Sequence, residues 1–245
     1  MRNKSSIIAG RHPLIEAIHA GRAIDKILLQ RNVSGEAIGE IRALAKKHNI
    51  PVQQVPPEKM DSISRTNHQG VLAIAALVPY LDLQLVIDRV TGAGDKPLFL
   101  ILDGITDVRN IGAIARTALC CGAQAIILPD KGVGSLNEEA MKSSAGALEN
   151  ILISRVNSLL KAVDLLHLNG IRALTTALHA ERTLSEIEFS GPCCVILGSE
   201  DRGVQPYLIK SADACFTIPM KNNFDSLNVS VAAGIILYEA MKQRV

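Results

Sequence analysis

From Pro97 onward the chain repeats one pattern: a short, wholly apolar run followed by a stretch with helical spacing. The runs are Leu98–Leu102, Ala125–Leu128, Ile151–Ile153, Ile171–Leu174, Cys193–Leu197 and Cys215–Ile218. Helical patterns such as Leu159, Val163 and Leu166 separate most of them. A strand that is apolar on both faces has to be covered on both faces, which implies a parallel sheet between helix layers. In such an α/β sheet, ligands bind beyond the carboxyl ends of the strands. The residues that follow each run therefore carry the search for function.

Residues 1–77 read as a separate small α/β unit. Leu14, Ile15 and Ile18 suggest a short helix, Ile24 to Leu29 a strand, and Ile38, Ile41 and Ala45 one helix face. Pro51 to Val55 and Val71 to Leu77 read as further strands, the last preceded by the polar turn Asn67-His68-Gln69-Gly70. Residues 78–96 hold Pro79, Gly92, Gly94 and Asp95 around one amphipathic stretch, Leu81 to Val90, and read as a linker made of a connecting helix and a flexible loop. The second domain is then 97–245.

Composition excludes several classes. No apolar run approaches the roughly 20 residues that cross a bilayer, and no apolar core follows the basic start, so a soluble cytoplasmic protein is expected. The five cysteines form no C-x-x-C pair and no metal-ligand cluster appears, so no metal is expected. Four of those cysteines lie in apolar stretches and are expected to be buried thiols. Aromatic residues make up only 3% of the chain and Trp is absent. Binding of single strands on aromatic stacking platforms is therefore disfavoured.

Three clusters follow apolar runs. After Asp103 comes a loop leading to Asn110, Ile111 and Gly112, then a helix carrying Arg116. Asn110 in the loop and Arg116 in the second turn are both expected to face a ligand at the helix N-terminus. After Val195-Ile196-Leu197 comes Gly198-Ser199-Glu200-Asp201-Arg202-Gly203, whose glycines allow close backbone approach. After Ile218-Pro219-Met220 comes a polar segment ending Ser226-Leu227-Asn228-Val229-Ser230, in which Ser226 or Asn228 suits a helix N-cap. Each cluster alone has an ordinary structural explanation; three on neighbouring strand ends are harder to dismiss. The turn after Asp103 lacks the glycine spacing of a dinucleotide-binding dehydrogenase.

These stretches, N-I-G-x-x-x-R-T-A, I-L-G-S-E-D-R-G and I-P-M…S-L-N-V-S, resemble in order and spacing the three motifs of the SpoU, or TrmH, RNA ribose methyltransferases. The first eighty residues look like the RNA-binding domain of the RlmB-like branch, on Gly10, Glu16 and Asn67 to Gly70. The resemblance implies a C-terminal sheet threaded as a deep trefoil knot, a topology too rare to be proposed from patterning. It also implies a homodimer, S-adenosyl-L-methionine as cofactor, and structured RNA, namely 23S ribosomal RNA, as partner. Carried over, the catalytic set is Asn110, Arg116, Glu200, Ser226 and Asn228. The cofactor set is Thr175 or Thr176, Gly198, Ile218, Met220 and Leu227. Arg11, His68, Gln69 and Arg109 are the expected RNA contacts.

The implied reaction methylates a ribose 2′-hydroxyl, of a guanosine in large-subunit ribosomal RNA. The family assigns Arg116 as the base, but a guanidinium titrates above about 12 and offers no lone pair. Gripping an RNA phosphate suits it better. Glu200 is then expected to position Arg116 or Asn110. One departure, Val108-Arg109 where RlmB-like enzymes often read Pro-His, lies in the RNA-facing loop. Transfer RNA is the rival substrate. A catalytically silent RNA-binding assembly factor is the rival from another class, and it would predict the loss of Arg116, Glu200 or Asn228.

Overall fold

The computed structural model describes residues 7–178, 180–221 and 226–245. One compact unit ends at Pro79 and a second begins at Tyr80.

The first unit runs β1 (Ile7–Ala9), α1 (Arg11–His19), β2 (Ile24–Gln30), α2 (Glu36–Lys47), β3 (Val52–Val55), α3 (Pro57–Ile63) and β4 (Val71–Ala75). Its sheet order is β1-β4-β2-β3, with β4 antiparallel to β1 and β2, and β3 parallel to β2. Strand alternation splits the apolar residues between two faces. Ile27, Leu29, Val71 and Ala73 meet Leu14, Ile18, Ile38 and Ile41 of α1 and α2. Leu28, Val55 and Leu72 meet Met60 of α3. Sequence patterning found neither β1 nor α3. Both are too short to show a period, and α3 buries only Met60.

The second unit runs α4 (Leu83–Gly92), β5 (Leu98–Asp103), α5 (Val108–Cys120), β6 (Ala125–Pro129), α6 (Glu138–Ser144), β7 (Leu152–Val156), α7 (Leu159–Leu168), β8 (Arg172–Thr176), β9 (Arg182–Thr183), β10 (Cys193–Gly198), α8 (Pro206–Ser211), β11 (Ala214–Thr217) and α9 (Val229–Lys242). The sheet order is β7-β6-β5-β10-β8-β11-β9 and every pairing is parallel. All six residues of β5 are buried. β10 forms late in the chain yet enters the middle of the sheet, between β5 and β8.

Two expectations are corrected here. Residues 83–92 are no linker. α4 buries Leu83, Val86, Ile87 and Val90 in one core with Phe99 and Ile101 of β5. Those four positions follow the i, i+3, i+4, i+7 spacing of a core-facing helix, which outweighs the nearby glycines. Asp82 caps α4 by accepting from the Gln84 and Leu85 amides. Of the cysteines, only Cys193 and Cys194 are buried. Cys120 is exposed and Cys121 and Cys215 are half-buried, because the first two fall on and just past the last turn of α5. Among the described residues no helix is long and apolar enough to cross a membrane.

Beyond α9, Arg244 fastens the sheet at the amino ends of its strands. Its guanidinium donates to the carbonyls of Phe189 (2.7 Å), Lys96 (2.8 Å), Pro97 (3.0 Å) and Gly191 (2.6 Å). Gln243 beside it bonds the Phe189 amide and the Ile187 carbonyl.

Candidate active site

The three motifs do not sit on adjacent strands. β5 and β10 are neighbours, but β8 lies between β10 and β11. The end of β8 therefore belongs to the site. A cavity of about 450 Å³ opens at the carboxyl ends of β8, β10 and β11. Of the residues expected to hold a cofactor, Thr176, Gly198, Ile218, Met220 and Leu227 line it, as do Glu200 and Ser226. Thr175 does not. Its side chain is fully buried within β8, whose neighbours at that position are Ile196 and Cys215. Alternation along a strand allows only one of two successive threonines to face the opening.

At the rim, one carboxylate oxygen gathers three donors. Glu200 Oε1 accepts from Asn228 Nδ2 at 2.7 Å, from the Val229 amide at 3.1 Å and from Asn110 Nδ2 at 3.3 Å. Asn228 Nδ2 also donates to Asn110 Oδ1 at 3.1 Å. The other end of Asn228 caps α9, its Oδ1 accepting from the Ser230 amide at 3.0 Å and the Val231 amide at 3.4 Å. Glu200 thus ties the start of α5 to the start of α9. Three N–H groups on one charged acceptor make a strong, directional anchor.

Two site expectations change. Asn110 lies inside the first turn of α5, which begins at Val108 and is capped by Asp107, not in the preceding loop. Arg116 is six residues further on, about 9 Å along the axis and roughly 120° around it. It is exposed, has no hydrogen bond or ion pair recorded among the described residues, and is absent from the cavity lining. Glu200 therefore positions Asn110 and Asn228, and Arg116 is not brought to them within one chain.

The sequence reading missed Asp103 and Gln205. Asp103 ends β5 and is 2% exposed, yet no cation pairs with it among the described residues. Its Oδ2 accepts the Gln205 amide at 2.8 Å and its Oδ1 accepts Gln205 Nε2 at 2.7 Å. A carboxylate ending an otherwise wholly apolar strand was the available signal. Gly198 shows why glycine is needed there: a Cβ would meet the Gly203 carbonyl and the Val204 nitrogen.

Arg109 lies at the start of α5, exposed, donating to Asp107 at 2.9 and 3.2 Å with Glu139 at 3.7 Å. Its hydrogen bond holds the Asp107 carboxyl below the usual range, and Asp107 raises the guanidinium in return. In the first unit, Arg11, Gln69 and His68 do come together around a concavity of about 520 Å³. Arg11 Nε donates to the Gln69 carbonyl at 3.2 Å. His68 Nδ1 accepts the Gly70 amide at 3.1 Å, so its Nε2 carries the proton donated to Asp61 at 3.1 Å. That ring braces the turn, in which Gln69 and Gly70 adopt φ of 49° and 77°. No group of three or more His, Cys, Asp or Glu placed to hold a metal occurs among the described residues.

A TrmH family tRNA/rRNA methyltransferase of Staphylococcus saprophyticus is 34% identical over 238 residues, covering 97% of this chain and 96% of that protein. The Staphylococcus aureus counterpart is 34% identical over 241 residues, covering 98% and 97%. The SpoU methyltransferase AviRb of Streptomyces viridochromogenes, solved with AdoMet, has a similar fold with a TM-score of 0.62 at 24% identity, over 97% of this chain and 89% of that one. An AdoMet-bound rRNA methyltransferase of Sinorhizobium meliloti gives 0.61 at 24%, over 98% and 88%. At that identity the two structures speak for the fold alone. Residues 7–81 match the family described as RNA 2′-O ribose methyltransferase substrate binding. With residues 97–238 matching as well, over more than half its length, the chain belongs to the SpoU rRNA methylase family.

Proposed function

We propose that this protein methylates the ribose 2′-hydroxyl of a guanosine in large-subunit (23S) ribosomal RNA, using S-adenosyl-L-methionine, in the cytoplasm. The observation that carries the reading is the cavity at the ends of β8, β10 and β11 with the Glu200, Asn110 and Asn228 cluster at its rim. The cavity suits an adenosyl cofactor. Its size lies within the roughly 300–1,000 Å³ of small-molecule sites, and Leu197, Phe216, Leu227 and Val229 give it apolar walls. Bound there, the cofactor supplies a sulfonium-activated methyl group.

The chain's own residues do the rest. Gly198, where any Cβ would meet the Gly203 and Val204 backbone, lets the loop fold back over the cavity, and Thr176, Ile218, Met220 and Leu227 close around the ligand. Glu200 and Asn228 together fix Asn110, whose side-chain nitrogen keeps one N–H to meet the substrate in one arrangement. Ser226, exposed at the mouth, is placed to bond the ribose. Arg116, with no partner recorded among the described residues, takes an RNA phosphate, and the hydroxyl proton leaves to phosphate or water. Arg11 and Gln69 are the RNA contacts of the first unit, where His68 orders the turn, and Arg109 is the RNA contact of the second.

A homodimer is part of the reading. Val231, Ile235 and Tyr238 form an exposed apolar face on α9, and Leu119, one helical turn from Arg116, is exposed on α5, which packs against α9. Pairing two copies there would set Arg116 against a second chain. The entry of β10 into the middle of the sheet supports the threaded C-terminal topology of the family. Transfer RNA is the second reading, favoured by the tRNA/rRNA description of the Staphylococcus relatives.

The test is incubation with radiolabelled S-adenosylmethionine and unmethylated total RNA, followed by separation of the RNAs by size. Label in large ribosomal RNA supports the proposal, and label in transfer RNA keeps the chemistry and changes the substrate. No label in any RNA would leave a silent RNA-binding protein of the same fold.

A further inference from the structure

We infer that Asp103 is a positioning residue for the cofactor cavity, acting through Gln205 on the loop 199–204. The inference rests on reading that cavity as the cofactor site. Ser199, Glu200, Asp201, Arg202, Gly203 and Val204 all line the cavity, whereas Asp103 and Gln205 do not. The loop is closed on itself: the Gly203 amide donates to the Ser199 carbonyl at 2.8 Å and the Arg202 amide to Ser199 Oγ at 3.3 Å. It therefore moves as one body, and its placement depends on how its two ends are held.

Both ends are referred to Asp103. The near end, Gly198, pairs in register with Asp103 across β10 and β5. The far end, Gln205, puts both its main-chain and side-chain N–H on the Asp103 carboxylate, at 2.8 and 2.7 Å. With one oxygen for each donor, the carboxylate fixes Gln205 in both position and orientation. Glu200, carried on the same loop, then reaches Asn110 and Asn228. Burying a carboxylate without a cation is unfavourable unless hydrogen bonds replace its hydration, and here one residue supplies them.

The pair can be inverted without losing its shape. Asp103→Asn alone turns an N–H towards Gln205, and both bonds survive if the Gln205 side-chain amide turns over so that its Oε1 accepts. Gln205→Glu alone sets two carboxylates against each other, and they cannot both ionise comfortably at that separation. In the double variant the new amide oxygen accepts the main-chain N–H of position 205, and the new amide nitrogen donates to the new carboxylate. Both bonds are regained with their direction reversed.

The measurement is calorimetric titration of the full-length protein with S-adenosylhomocysteine, alongside circular dichroism to establish folding and methyl-transfer kinetics. Gln205→Glu is expected to bind at least ten times more weakly, and Asp103→Asn within about threefold of the parent because the Gln205 amide can turn over. The double variant is expected to bind within about threefold of the parent, and KM for the cofactor to move more than kcat. A folded Gln205→Glu variant that binds like the parent would overturn the inference. So would a double variant no better than the worse single one, and that comparison decides the matter if a single variant fails to fold. A parent protein that does not bind the cofactor would refute the proposed function itself, a result distinct from failure of the swap.

Discussion

Asn228 Nδ2 donates to Glu200 Oε1 across 2.7 Å, and that bond joins the loop after β10 to the first residue before α9. The same oxygen holds Asn110 of α5, so three segments far apart in sequence meet on one atom. Removing the carboxylate by Glu200→Ala leaves three donors without their acceptor. At about 1.5–3 kcal/mol for a charge-assisted bond, the expected fall in kcat/KM is on the order of 100-fold or more. Glu200→Gln keeps one carbonyl oxygen and should lose roughly tenfold. Steady-state kinetics on both variants checks the order, and equal losses would mean that charge alone matters.

Arg116 offers the opposite case, an exposed cation with no partner recorded among the described residues. Arg116→Ala should leave stability within about 0.5 kcal/mol, as for a surface substitution, and leave cofactor affinity unchanged. Methyl transfer to RNA should fall at least 100-fold, roughly the 2–3 kcal/mol of a lost phosphate contact. Thermal melting, calorimetry and transfer kinetics together separate these effects. A large drop in melting temperature would instead mark Arg116 as structural.

Gly198→Ala puts a methyl group against the Gly203 carbonyl and the Val204 nitrogen, both backbone atoms that cannot rotate away. The loop must shift, at a cost of about 1–3 kcal/mol, and cofactor binding should be lost with it. Gly191→Ala is the control, since a Cβ there meets nothing within 4 Å. If both variants bind and melt alike, the close approach at Gly198 is unimportant.

Arg11 is held by the Gln69 carbonyl, and no carboxylate lines the concavity beside it. Arg11→Ala should weaken RNA binding evenly across sequences and make the log–log salt slope shallower by about one unit, the signature of one lost phosphate contact. Binding titrations at several salt concentrations measure this. An unchanged slope would remove Arg11 from the RNA interface.

Thiol reactivity should follow burial. The Cys193 and Cys194 thiols are pushed upward by burial, which keeps them in the unreactive protonated form, while Cys120 is exposed. Mass spectrometry after brief iodoacetamide treatment of the native protein should find Cys120 modified and Cys193 and Cys194 intact until denaturant is added. Modification of Cys194 at the rate of Cys120 would contradict the placement of β10 at the centre of the sheet.

The sheet of the second unit was legible because β5 and β10 are apolar on both faces, a pattern with few other solutions. α4 was legible as a helix but not as part of the core, because Gly92 and Gly94 give its end the composition of a connector while four regularly spaced residues pack inward. The strand order was not legible. Nothing local in the sequence tells β10 to pass between β5 and β8, so the gap between the second and third motifs appeared only in three dimensions. Asn110, Glu200 and Asn228 were legible as motif residues, and Asn110 as one of two partners expected for Glu200, but not that Asn228 shares the same carboxylate oxygen. Asp103 escaped because its role depends on Gln205, 102 positions away, and periodicity carries no information at that range.

Arg244 reaches carbonyls beside the starts of β5 and β10, and one of them, that of Pro97, belongs to a residue made 147 positions earlier. On the ribosome, then, β5 emerges long before the side chain that fastens its edge exists. Until that arginine is made, those carbonyls lack the donor that meets them in the folded chain. The amino edge of the sheet is thus sealed from behind, by a side chain that follows every strand it secures.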